Sequence, residues 1–274
     1  MIEMLDIIVW QGRVGDRTAR TIAGAALTAQ ALERRYGKTA GSLGLVAPPA
    51  NDDWRDSLLQ ARETLVGLGR AIAASIKGGN LPVIVANTCS ASLASLPVVA
   101  RHHPDAVVLW IDAHGDFNTP ETTGTGYLGG MVLAAACGFW NSGHGAGLRP
   151  EQVILVGARD IDPAEGELLR EAGVQIIPPA EATPDTVVRA INGAQVWIHV
   201  DWDALEPGFV PAEYNVPRGM LPSQLREIFE AIPSAQLLGV EVAEFHPPCD
   251  DGKNQATLSI ILDILAPLLE ESPD

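Results

Sequence analysis

The chain has little positive charge: 18 Lys and Arg stand against 34 Asp and Glu in 274 residues, a formal net charge of −16. That balance argues against nucleic acid or an anionic membrane as a partner, because both select basic surfaces. Long apolar runs are also missing. No stretch approaches the roughly twenty residues of a membrane-spanning helix, and no basic, hydrophobic leader opens the chain, so the expected location is cytoplasmic. Cysteine is sparse: Cys89, Cys137 and Cys249 are too widely separated for a disulfide framework or a Cys-x-x-Cys zinc site. No Pro/Gly/Ser linker, low-complexity run or clear repeat divides the chain, which predicts one domain over residues 1–274.

Short apolar runs alternate instead with helical patterns almost from end to end, the signature of a mainly parallel sheet covered on both faces. The runs predict strands at Leu5 to Trp10, Leu81 to Ala86, Ala106 to Asp112, Gln152 to Gly157, Val174 to Ile177, Val196 to Asp201 and Gln236 to Val242. Apolar residues at three- and four-residue spacing predict helices at Thr18 to Tyr36, Trp54 to Lys77, Pro163 to Ala172, Thr183 to Ile191, Pro222 to Ala231 and Asn254 to Glu271. Pro163 and Pro222 read as first-turn prolines.

Chemistry concentrates where predicted strands end. Ala106 to Trp110 runs into Ile111-Asp112-Ala113-His114-Gly115-Asp116, and Val196 to Val200 runs into Asp201-Trp202-Asp203. Buried carboxylates are too costly to keep uncompensated, and Asp-x-His-x-Asp offers hard oxygens plus an imidazole, which suits Mn²⁺ or Mg²⁺ with a lean towards a transition ion. Residues two apart on a strand share a face, so Asp201 and Asp203 are able to converge with Asp112, His114 and Asp116. Four Asp balance two divalent cations, which favours a binuclear centre. Two more strand ends, Asn87-Thr88-Cys89-Ser90 and Ala243-Glu244-Phe245-His246-Pro247, are placed to feed the same site.

From about Leu81 to Pro247 these motifs, in order, resemble the ureohydrolases, the arginase and agmatinase family of binuclear manganese enzymes. Asp112-Ala113-His114-Gly115-Asp116 is similar to that family's Asp-Ala-His-x-Asp block. Asp201 to Pro207 is similar to its Asp-x-Asp-x-x-Asp-Pro block, with Glu206 in place of the last Asp. The resemblance implies a three-layer α/β/α fold and two Mn²⁺ ions bridged by Asp112 and Asp201. Asp116 would complete one shell, and His114 with Asp203 the other. It also implies substrate contacts: Asn118 and Thr125 at an α-carboxylate, Asp162 at the α-ammonium group and Glu244 at the guanidinium. Reading both ends of an amino acid favours an arginine-like substrate over agmatine. The expected chemistry is attack on the guanidino carbon by a hydroxide bridging the metals, with Asp116 accepting its hydrogen bond and serving as first candidate to protonate the leaving amine.

Two departures stand out. Cys89 replaces the His of the family's first ligand block, and a thiolate is a softer match for Mn²⁺, so one metal is expected to bind weakly. Gly129, in Leu128-Gly129-Gly130, replaces the His of Leu-His-Gly that is taken as the proton shuttle, and His144 nearby has the wrong spacing. Both departures resemble a branch of the family associated with D-cycloserine-type antibiotic biosynthesis, which hydrolyses Nω-hydroxy-L-arginine to hydroxyurea and L-ornithine. A guanidino-acid hydrolase acting on L-arginine, or a metal-impaired binding protein, remains an alternative. Plainer readings stand beside these. A Cys after a strand is often a small buried hydrophobe, Asn118 and Thr125 also read as turn and cap residues, Asp162 as a helix N-cap, and Glu244 as a solvated loop acid. His199 and Cys137 read as core, and His102 and His103 as cations at a helix terminus. No assembly tail is evident after the last predicted helix, and whether copies form a homo-oligomer stays open.

Overall fold

The short apolar runs become strands of one sheet. The computed structural model describes residues 4–248 and 251–270; Cys249 and the predicted helix end at Glu271 lie outside them. Its strands are β1 (Leu5–Trp10), β2 (Gly41–Leu43), β3 (Leu81–Val85), β4 (Val107–Ile111), β5 (Val153–Val156), β6 (Gln175–Ile177), β7 (Val196–Asp201) and β8 (Leu237–Ala243). All neighbours pair in parallel, in the order β2-β1-β3-β8-β7-β4-β5-β6. The helices are α1 (Ala19–Tyr36), α2 (Trp54–Lys77), α3 (Ser92–His102), α4 (Val132–Ala136), α5 (Pro163–Ala172), α6 (Pro184–Ile191), α7 (Pro222–Glu230) and α8 (Asp251–Leu269).

Two apolar cores flank the sheet. One packs α1, α6, α7 and α8 through Leu32, Val187, Phe229 and Leu265; the other packs α2, α3, α4 and α5 through Leu68, Leu96, Leu133 and Leu169. This is the expected α/β/α arrangement. Local chemistry sets the helix ends. Thr18, Asp53 and Thr183 accept backbone N–H bonds as N-caps, and Pro163 and Pro222 occupy first turns, where a missing N–H costs nothing. No helix among the described residues is long and apolar enough to cross a membrane.

Two elements were not evident in the apolar pattern, and a third, α3, was read only at its end, where His102 and His103 close a helical segment. β2 has only three residues, and α4 only five. In α3 every residue from Ser92 to Ala100 is buried, so it has no polar stripe to mark a helical period.

Topology places the site. The chain passes from β3 to β4 while leaving a gap, and β7 and β8 later fill it. The carboxyl ends of β3, β8, β7 and β4 therefore lie side by side at a switch point, where open parallel sheets bind ligands. Ile111 pairs with Val200, which puts Asp112 and Asp201 level with one another at that edge.

Candidate metal centre

Backbone N–H groups aim the acids. Asp112 Oδ1 accepts from His114 N at 2.7 Å and its Oδ2 from Trp110 Nε1 at 3.0 Å; Asp201 Oδ1 accepts from Asp203 N at 2.8 Å, and Asp203 Oδ1 from Ala113 N at 3.1 Å. Two adjacent trios result. The ligand atoms of Asp112, His114 and Asp203 lie within 4.8 Å of one another, as do those of Cys89, Asp201 and Glu244. A third trio joins Cys89, Asp112 and His199, so Asp112 is common to two groups. Asp116 belongs to none of them, yet it lines the same cavity.

The electrostatics suit cations. Burial, then Asp112, pushes the Asp116 carboxyl well up; burial, then Asp203, does the same to Asp201. Burial and the surrounding Asp residues also push the Cys89 thiol up. His114 Nδ1 lies 3.1 Å from Asp203 and 3.3 Å from Asp112; burial opposes its protonation, but the two carboxylates outweigh burial and raise its pKa. Among the described residues no Lys or Arg side chain forms an ion pair with Asp112, Asp116, Asp201, Asp203 or Glu244. Asp116 Oδ2 and Glu244 Oε2 are buried without a hydrogen-bond partner. Such a cluster is stable only with bound protons or metal, so the residues present fit a pair of divalent ions.

Above the trios lies a cavity of about 220 Å³, lined by Cys89, His114, Asp116 and Asp201 at its floor and by Asn118, Thr125, Asp162 and Glu244 on its walls. Every predicted site residue except the deeper Asp112 and Asp203 faces it. Glu244 is buried rather than a solvated loop acid: its Oε1 accepts from Tyr127 OH at 2.8 Å and Cys89 N at 3.2 Å. Asn118 Oδ1 accepts from Thr122 Oγ1 at 3.0 Å, and Thr125 Oγ1 from Tyr127 N at 3.2 Å, so both also serve their loop. Asp162 occupies the N-cap position of α5, but its side chain makes no cap hydrogen bond. Glu206 points elsewhere and accepts from Gly219 N at 2.8 Å. Asp116 and Glu244 both have left-handed backbones, with φ of 48° and 65°. Non-glycine residues in that region are strained and cluster at functional sites. A larger, more open groove of about 490 Å³ beside α2 and α3 holds no such acid cluster.

Sequence reasoning missed four participants. Tyr127 reaches Glu244 because Gly129 has no side chain: a Cβ there would lie 2.4 Å from the Tyr127 ring. Glu165, buried on α5, accepts from Phe117 N at 2.8 Å, and it packs on Gly115, where a Cβ would lie 2.7 Å from the Glu165 carboxyl carbon and displace it. The Arg159 guanidinium donates to carbonyls of Gly157, Asp203, Ala204, Val216 and Pro217, tying the loop after β5 to the loop after β7. His199, expected as core, is indeed fully buried, but its Nε2 lies 3.3 Å from Cys89 Sγ. The Gly129 vacancy was the one legible signal among these four.

Comparison with known proteins agrees with this geometry. The chain is 62% identical to the N(omega)-hydroxy-L-arginine amidinohydrolase of Streptomyces lavendulae, with 97% of this chain and 98% of that protein covered. It is 28% identical to the arginase of Bacillus caldovelox, covering 71% of each. The crystal structure of arginase from Bacillus cereus shares the fold with a TM-score of 0.84 at 23% identity, covering 98% of this chain and 99% of that one. The family model described as the arginase family matches residues 25–268, and with that match the chain belongs to the arginase family.

Proposed function

We propose that this protein hydrolyses the guanidino group of an arginine-like α-amino acid, most directly Nω-hydroxy-L-arginine, at two Mn²⁺ ions. The observation that carries the reading is the one cavity that combines acid trios containing Cys89, a Tyr127-filled space at Gly129, and amino-acid-reading groups on its walls. The 62% identical relative named for that substrate supports it. Water adds at the guanidino carbon, the bond to the side-chain nitrogen breaks, and that nitrogen takes a proton; the products are hydroxyurea and L-ornithine.

When bound, two divalent cations would supply a water of strongly lowered pKa beside the guanidino carbon. Asp112, His114 and Asp203 would hold one, and Cys89, Asp112 and Asp201 the other. The mostly oxygen and imidazole donor set suits Mn²⁺, and the sulfur is the exception. Asp116 keeps Oδ2 free of protein partners, so it accepts the proton of the attacking water and returns it to the departing amine. Glu244 has Oε1 committed to Tyr127 and Cys89, which leaves Oε2 to hold a guanidino N–H and fix the carbon over the floor. Asn118 and Thr125 receive the α-carboxylate, and Asp162 the α-ammonium group. N-hydroxylation lowers guanidine basicity, so more substrate arrives neutral at a site lacking the family's shuttle His.

The test is a substrate panel with added Mn²⁺, following ornithine release. Turnover of Nω-hydroxy-L-arginine well above that of L-arginine is expected; a clear preference for L-arginine overturns the substrate assignment.

A further inference from the structure

One pleat beneath the metal-facing edge lies a second polar row that the proposed reaction does not use. Trp110 on β4 pairs with His199 on β7, and His199 pairs with Glu241 on β8. The same row is apolar to either side: Ile84 pairs with Glu241, Ile8 with Ile84, and Leu155 with Trp110. His199 and Glu241 are both wholly buried in the two central strands. A carboxylate and an imidazole at the middle of a sheet are costly unless their polar atoms are matched.

The contacts run in one direction. Ser92 Oγ and Ser95 Oγ, one turn apart on α3, donate to Glu241 Oε2 at 3.0 and 2.8 Å. His199 Nδ1 lies 3.5 Å from that oxygen and 3.3 Å from Ser92 Oγ. The imidazole lies flat on Trp110, with ring centroids 3.6 Å apart and planes 5° apart. With Nδ1 committed to that end, Nε2 meets Cys89 Sγ at 3.3 Å. Trp110 uses its Nε1–H on Asp112 Oδ2, so one indole braces a metal-facing carboxylate with its edge and the imidazole with its face.

We propose that Glu241, Ser92 and Trp110 lock His199 in one orientation, so that its Nε2 edge positions Cys89 Sγ towards the metal centre. The inference rests on Cys89 being a ligand, as read above. It follows the general pattern in which a ligand is aimed by a hydrogen-bonded neighbour that is itself held by a carboxylate. A cysteine side chain has one torsion and little reach, so its direction depends on what touches the sulfur. A buried His–Glu pair serving only to satisfy itself has no need to end on the sulfur.

The test uses the full-length protein with Co²⁺, whose bonds to thiolate give a near-ultraviolet charge-transfer band, together with Mn²⁺ titration. Wild type shows the band. His199→Phe, which keeps the stacking on Trp110 but loses both nitrogens, and Glu241→Gln, which keeps size, each shift or weaken it. Each also raises the Kd of one Mn²⁺ about 10- to 100-fold and leaves the other unchanged. In a Cys89→Ser background His199→Phe has no further effect on Mn²⁺, as expected when the effect passes through the sulfur. If His199→Phe does not fold, Glu241→Gln alone decides. A wild-type band that neither variant moves, with Mn²⁺ affinities unchanged, overturns the His199 assignment alone. A wild-type protein without the band overturns the ligand reading of Cys89 and this inference with it.

Discussion

Gly129 and Tyr127 compete for one space, and the competition has a measurable sign. A Cβ at position 129 would sit 2.4 Å from the Tyr127 ring, whose hydroxyl holds Glu244. Gly129→His is therefore expected to displace Tyr127, to lower activity and to give no L-arginine turnover. Adding Tyr127→Ala relieves the overlap, so the double variant should melt at a higher temperature than the single one. Tyr127→Phe removes one hydrogen bond to a buried carboxylate, worth about 1.5–3 kcal/mol, and should lower kcat/KM by roughly tenfold or more. Kinetics and melting curves of the three variants check this. Glu165 makes a separate prediction. Burial pushes its carboxyl up from 4.5 to about 7, so the folded chain retains a proton that the unfolded chain gives up near pH 4.5. The stability this contributes is complete below about pH 4.5 and is lost as pH rises towards 7, about 3 kcal/mol in all. Denaturant midpoints of chelator-treated protein should show Glu165→Gln without that decline; an unchanged slope would contradict the assignment. The acids of Asp112, Asp116, Asp201 and Asp203 were legible in the sequence because a strand end and a two-residue spacing are local facts. Tyr127, Glu165 and His199 were not, because each depends on a neighbour far along the chain: Glu244 for Tyr127, the close approach of Gly115 for Glu165, and the pairing of β7 with β8 for His199.

Among the elements, the loops after β5 and β7 are joined mainly by one side chain. Arg159 donates to carbonyls in both loops, and its backbone N–H donates to Ala113 O at 2.8 Å, inside the Asp112 to Asp116 motif. Nothing in the residues around Arg159 says that its guanidinium will fold back onto carbonyls 44 to 58 residues away. Arg159→Met keeps the stem and leaves those carbonyls unpaired. The expected cost is about 2–4 kcal/mol in stability, with weaker Mn²⁺ binding at the Asp112, His114 and Asp203 trio; urea unfolding and Mn²⁺ titration measure both. Helix identity was largely legible, since caps such as Thr18 and first-turn prolines such as Pro163 are written locally. Only the end of α3, at His102, was legible, because Ser92 to Ala100 are all buried and carry no amphipathic period.

For the whole molecule, metal and fold are linked, because a site assembled from β3, β4, β7 and β8 exists only in the folded state. Mn²⁺ at one hundred times its Kd should stabilise the protein by about 2.7 kcal/mol per site, a rise of roughly 5–10 °C in Tm, and EDTA should reverse it. An unchanged melting temperature would mean that the acid cluster binds no metal. Parallel order was legible as alternation of strands and helices, but the position of β8 was not, since nothing local in Leu237–Ala243 says that it inserts between β3 and β7. That insertion has a consequence for biosynthesis. A ribosome translating this chain makes the middle strand β8 after the other described strands, so until Ala243 and Glu244 emerge, β3 and β7 each lack a neighbour and the Cys89 side of the centre has no wall. Metal capture therefore follows the synthesis of β8, and a nascent chain halted before residue 237 should bind no Mn²⁺ while offering two open strand edges to chaperones.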